Sequence, residues 1–92
     1  MDEIDTLAET FKALADPTRL KILYYIASEE LTPSELSRRL HLRAPTVTHH
    51  LNELRLAGLV NLAVRGQEKF YSARREALQS IYSTLEVFLD SQ

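Results

Sequence analysis

Two histidines stand side by side in the stretch RAPTVTHHLNELRLAGLV, residues 43–60. Imidazoles in that position could ligate a metal, move protons, or belong to a surface that touches another molecule. The metal reading needs partners. The chain has no cysteine, and HHLNE lacks the spacing by which a helical zinc hydrolase sets two imidazoles on one face. Neighbours on a helix also diverge by about 100°, so His49 and His50 cannot easily share one ion. Catalysis fares no better, because no local spacing brings a nucleophile to a base. No metal site or other cofactor is implied, and the chain is not expected to be an enzyme.

A surface remains. Projected as a helix at about 100° per residue, Val47, Leu51 and Leu54 fall on one side. Pro45, His49 and Asn52 fall opposite, flanked by Thr46, Thr48 and Glu53, with Arg43 just before the helix and Arg55 on its edge. Short hydroxyls, an imidazole and an amide bordered by guanidinium groups suit base edges and phosphates, and the major groove of DNA admits one α-helix. His49 is expected to face outward to DNA; a merely solvated residue is the plain alternative. His50 leans toward the apolar side and is expected to brace the helix at the core edge.

Net charge hides this surface. The 92 residues carry a formal charge of −2. Residues 34–75 hold eight Lys/Arg against three Asp/Glu, a balance of +5, while residues 1–33 stand at −4 and residues 76–92 at −3. A basic middle between acidic ends can steer a weakly acidic protein to a polyanion. The hydrophobic share of 45% and charged share of 26% are ordinary for one soluble domain spanning residues 1–92. No apolar run approaches the ~20 residues of a membrane span. The acidic start MDEID is the opposite of a signal peptide, so a cytoplasmic protein without a membrane partner is expected.

Seven elements would position these residues. Ile4, Leu7, Ala8, Phe11 and Leu14 follow helical spacing over residues 3–14. Asp16 with Pro17 reads as the cap and first position of a second helix, apolar nearly all round through Leu20, Ile22, Leu23, Tyr24, Ile26 and Ala27, and so expected to be central and buried. TPSE, residues 32–35, is a capping box opening a third helix that ends near Leu40. The link HLRA leads to the fourth helix, starting at Pro45 and stopping at Gly58. LVNLAV and KFYSA then form a hairpin around RGQE, with Gly66 at the reversal. Leu78, Ile81, Tyr82, Leu85, Phe88 and Leu89 stripe a closing helix over residues 76–90. Phe11, Tyr24, Phe70 and Tyr82 sit at apolar positions and are expected mostly in the core. The fold class is mostly α with a small β-hairpin, order H-H-H-H-E-E-H: a winged helix-turn-helix.

LADPTRLKIL, SELSRRL, PTVTHHLNELRLAGLV and the RGQEKFYS hairpin, in this order and spacing, resemble the ArsR/SmtB-type bacterial winged-helix regulators. The resemblance runs from about Leu7 to Ala73. It implies a sequence-specific repressor acting on a pseudo-palindromic double-stranded operator, with Thr46, Thr48 and His49 reading DNA and Arg43, Arg65 and Lys69 on phosphates. Pro45, Asn52 and Arg55 lie on the same helix face or its flank. Gln67 joins the wing contacts where the family often carries arginine, and Glu68 beside it adds a negative charge. The family's metal sensors use a cysteine pair near the third helix or acid and histidine ligands on the last helix. Neither set is present here, so metal sensing by those sites is not expected, and the effector stays unknown.

The same resemblance implies a homodimer packed across a two-fold axis through the terminal helices, about residues 3–14 and 76–90. Ile4, Leu7, Phe11, Ile81, Leu85 and Phe88 are the interface candidates, with intramolecular packing as the alternative. Two other functional readings compete: a DNA-binding fragment of a longer regulator, and a winged helix whose polar face and wing meet a protein partner.

Overall fold

A computed structural model describes residues 2–90, with α1 at Asp2–Leu14, α2 at Pro17–Ile26, α3 at Pro33–Leu40, α4 at Ala44–Leu56, β1 at Val60–Arg65, β2 at Glu68–Ala73 and α5 at Arg75–Asp90. The order is the one the periodicities predict. Helix starts follow the capping chemistry: the Arg19 N–H donates to the Asp16 carboxylate at 3.0 Å, with Pro17 in the first turn. Thr32 and Glu35 form the reciprocal box, the Glu35 N–H donating to the Thr32 hydroxyl and the Thr32 N–H to the Glu35 carboxylate.

One helix starts earlier than predicted. α4 begins at Ala44, not Pro45, because Arg43 is extended and its carbonyl accepts the N–H groups of Thr46 and Val47. Pro45 therefore sits inside the first turn, where its missing N–H has no helical partner to lose.

The core gathers Ile22, Leu23 and Ile26 from α2, Leu31, Leu36 from α3, Val47, Leu51 and Leu54 from α4, and Leu59, Val60, Tyr71 and Ala73 from the hairpin and its approach. The strands pair antiparallel from Val60↔Ala73 to Arg65↔Glu68, and Gly66 takes the positive φ of +63° that the two-residue reversal requires. A bridge between Leu31 and Tyr71, with N–H···O distances of 3.0 and 2.8 Å, ties the hairpin to the segment before α3.

The aromatic expectation needs correction. Tyr24 is 75% exposed and Tyr82 61%, Phe11 is also exposed, and Phe70 is half-buried. Nor is α2 buried all round, since Leu20 faces outward with Tyr24. A ten-residue helix touches its own core through one side only, and that side is filled by Ile22, Leu23 and Ile26. Periodicity identified apolar residues but not which were needed inside. α5 has no fully buried residue: Ala77, Leu78 and Ile81 rest on the core, while Leu85, Val87, Phe88 and Leu89 are exposed beyond it.

Candidate nucleic-acid interface

The turn between α3 and α4 fixes how α4 is presented. The N–H groups of His41 and Leu42 both donate to the Ser37 carbonyl, and the Ser37 hydroxyl donates to the Leu42 carbonyl. His41 adopts a left-handed conformation, φ 56° and ψ 44°, unusual for a residue with a side chain. It ends α3 and redirects the chain within three residues, His41 to Arg43, into α4. The result is a helix-turn-helix with α4 as its second helix.

α4 is divided sharply. Val47, Leu51 and Leu54 are fully buried. Pro45, Thr46, His49, Asn52 and Arg55 are exposed, Thr48 and Glu53 are half-buried, and Arg43 is exposed at the N-terminus. That terminus has no side-chain cap, leaving the positive end of the helix dipole open beside Arg43. Six of the predicted contact residues (Pro45, Thr46, Thr48, His49, Asn52 and Arg55) thus share one helix, all of them wholly or partly open to solvent, with Arg43 at its N-cap.

His50 is held by Arg19, a residue that the helical periodicities leave without a role. Arg19 donates from Nε to His50 Nδ1 at 3.2 Å and from Nη1 to the Ala13 carbonyl at 3.2 Å. One guanidinium therefore connects the end of α1, the start of α2 and the middle of α4. His50 accepts at Nδ1, so its proton belongs on Nε2. The Arg19 N–H also holds the Asp16 carboxyl below its ordinary value, against the opposing effect of partial burial. The half-buried His50 braces α4 at the core edge as predicted, while His49 is exposed beside it, ring centres 5.6 Å apart. A contact 31 residues apart leaves no trace in helical periodicity.

The wing is less uniform than expected. Pairing of Ala63 with Phe70 and of Arg65 with Glu68 puts Arg65 on the Phe70 face, and Lys69 on the opposite face with Tyr71. Gln67 and Lys69 are exposed. Arg65 instead engages Glu30, its Nη2 3.0 Å from both carboxylate oxygens, with the guanidinium 4.7 Å over the Phe70 ring. Other members of the basic middle are similarly engaged: Arg39 with Glu29, Arg74 with Glu76, and Arg75 with the Ala27 carbonyl. Among the described residues, Arg43, Arg55 and Lys69 stand in no ion pair.

The profile of bacterial regulatory proteins of the arsR family matches residues 16–61, from the Asp16 cap into β1. This chain belongs to the ArsR family. The HTH-type transcriptional regulator KmtR of Mycobacterium tuberculosis is 34% identical over 80 residues, 87% of this chain and 62% of that protein. The transcriptional repressor SdpR of Bacillus subtilis is 31% identical over 80 residues, 87% of this chain and 89% of that protein. An ArsR-like transcriptional regulator from Rhodococcus sp. RHA1 matches the structure with a TM-score of 0.90 at 32% identity, covering 99% of this chain and 86% of that one. The homodimeric winged helix-turn-helix DNA-binding domain Mb0332 of Mycobacterium bovis matches at 0.78 and 25% identity, covering 99% and 84%. As an ArsR-family member the chain is a winged helix-turn-helix domain of the transcriptional-regulator class, and these relatives are regulators rather than enzymes.

The interface candidates on the terminal helices divide by burial. Leu7 is already buried within the protomer and Ile81 is half-buried against the core. Ile4, Phe11, Leu85 and Phe88 keep roughly two-fifths of their surface exposed. A groove of about 430 Å³ runs between α1 and α5, with Leu7, Leu59 and Ile81 at its apolar part and Thr6, Ser80 and Thr84 among its polar lining. Among the described residues no helix is long and apolar enough to cross a membrane.

Proposed function

We propose that this chain binds a pseudo-palindromic DNA duplex as a two-fold homodimer and represses transcription from it. The observation that carries the reading is the two-sidedness of α4. Val47, Leu51 and Leu54 are buried, and the opposite side from Pro45 to Arg55 is polar and open to solvent, with only the terminal Leu56 exposed among the large apolar residues of the helix. Thr46, Thr48, His49 and Asn52 read base edges in the major groove; Arg43, Arg55 and Lys69 contact phosphate; Pro45 and Gln67 line the contact. Arg65 reaches the backbone only by leaving Glu30. The groove between α1 and α5, with Ile4, Phe11, Leu85 and Phe88, receives the partner protomer, and Leu7 and Ile81 support that surface from beneath. Within that dimer, the domain read over residues 1–92 is the DNA-binding unit, and it acts in the cytoplasm. With no cysteine in the chain, a thiolate metal sensor is unavailable, and the acid-and-histidine site on the last helix has no histidine there.

Selection of bound duplexes from a random DNA pool at about 0.15 M salt tests this directly. Enrichment of a motif with two-fold symmetry, its half-sites about one DNA turn (~34 Å) or a multiple apart, is expected. No enrichment, or an asymmetric motif bound by a monomer, overturns the reading. Repression is tested separately by placing the enriched motif between a promoter and a reporter, where expression of the chain should lower output.

A further inference from the structure

The end of α2 gathers three arginines from three other elements. Arg39, in the last turn of α3, places Nη1 3.1 Å from one Glu29 carboxylate oxygen and Nη2 3.4 Å from the other, its guanidinium carbon 5.5 Å from the Tyr25 ring centre. Arg65, at the end of β1, places one nitrogen 3.0 Å from both Glu30 oxygens and lies over Phe70. Arg75, at the start of α5, donates to the Ala27 carbonyl at 3.0 Å. Two consecutive acids thus occupy two guanidinium groups from elements that flank α4. The first of those elements is the leading helix of the helix-turn-helix, which crosses the DNA backbone in this architecture; the second leads into the wing.

A carboxylate facing guanidinium N–H groups presents the kind of paired oxygens that a phosphate would present. Both ion pairs are open to solvent, the Arg65 and Glu30 side chains being 56% and 41% exposed. Exposed pairs of this kind exchange easily and contribute little to folding. Aromatic faces under both guanidinium groups hold them in place beside their carboxylates.

Resting on the reading that this face binds duplex DNA, we propose that Glu29 and Glu30 are internal stand-ins for phosphate. In the free protein they hold Arg39 and Arg65, and DNA recruits those cations only by displacing the carboxylates. The acidic pair thereby sets how tightly the interface binds and how strongly salt weakens it. Removing one carboxylate charge frees one arginine per protomer. Each freed arginine that finds a phosphate steepens the log–log salt dependence by about 0.9, which is about a 3.5-fold gain in affinity for each fourfold drop in salt.

The test titrates a labelled mixed-sequence DNA duplex with wild type, Glu29→Gln, Glu30→Gln, Arg65→Met and the Glu30→Gln/Arg65→Met pair over about 0.05–0.2 M salt. Thermal unfolding is followed in parallel to show that each variant is folded. Glu29→Gln and Glu30→Gln are expected to bind more tightly at low salt, with slopes steeper by about one per protomer. The Glu30→Gln/Arg65→Met pair is expected to bind no more tightly than Arg65→Met alone, because Glu30→Gln gains nothing once the arginine is gone. A gain that survives Arg65→Met reflects a change of overall charge and overturns the proposal. Unchanged or weaker binding by both glutamine variants also overturns it, since the carboxylates would then hold α3 and the wing ready for DNA. Wild type that binds no duplex in a salt-dependent way overturns the DNA reading itself.

Discussion

Arg19 offers the sharpest way to probe how α4 is held. Changing Arg19→Met keeps most of the side-chain volume and removes both donors, so His50 Nδ1 and the Ala13 carbonyl lose their partners. Both bonds are part-buried and 3.2 Å long, at the weak end of the hydrogen-bond range, and water reaches the orphaned acceptors in part. A charge-assisted hydrogen bond contributes about 1.5–3 kcal/mol when well made; at this length and exposure about 1 kcal/mol each is the fitting figure, hence about 2 kcal/mol in total. For a domain of this size that corresponds to a fall in Tm of about 8–16 °C. The assay is urea or thermal unfolding at fixed protomer concentration, because the proposed dimerisation would make Tm concentration-dependent. A double-mutant cycle with His50→Phe isolates the α2–α4 strut and should give a coupling of about 1 kcal/mol. Specific duplex binding by Arg19→Met should weaken more than its binding to mixed-sequence DNA, since a loosened α4 loses base contacts before phosphate contacts. A stability change under about 0.5 kcal/mol in Arg19→Met, or a coupling indistinguishable from zero, would refute the strut.

Three further outcomes are expected. Thr48→Ala and His49→Ala should each lower discrimination between the selected motif and mixed-sequence duplex by about 1–3 kcal/mol, and unchanged specificity in both would remove them from base reading. Lys69→Ala should weaken binding to all duplexes alike and lower the salt slope by about one; a loss confined to one sequence would contradict a phosphate role. Asp16 and Glu35 have carboxyls held below their ordinary values, chiefly by the backbone N–H of Arg19 and by the Thr32 backbone respectively. Groups depressed on folding contribute stability that is present above the unfolded value and lost as pH falls through the folded one. Denaturant midpoints should therefore hold down to about pH 4 and fall below it, with a shallower fall in Asp16→Asn and in Glu35→Gln. An unaltered acid limb in both variants would exclude the caps as its source.

The helix-turn-helix was legible because its signals are local. Asp16–Pro17, the Thr32–Glu35 box and Gly58 each act within about one helical turn, and the Val47–Leu51–Leu54 stripe needs only helical geometry to be seen. The polar face of α4 follows from the same geometry by elimination, which is why six of the DNA-facing candidates fall on one element. Burial was harder to read. Tyr24, Tyr82 and Leu20 are apolar at helical spacing yet exposed, because spacing records which residues lie together and not how much core is available to cover them.

The charge of the middle segment shows the other limit. The sequence by itself determined the order of elements, their caps, the division of α4 and the surplus of basic residues between 34 and 75. Only the tertiary structure decided which of those bases are available. It bound Arg39 to Glu29, Arg65 to Glu30, Arg74 to Glu76 and Arg75 to a main-chain carbonyl, and it brought Arg19 from α2 onto His50. Caps and stripes are short-range and repeat with the backbone, so a sequence displays them. Ion pairs between residues 10 and 35 positions apart depend on where the turns aim the chain, and that is settled only when the core closes.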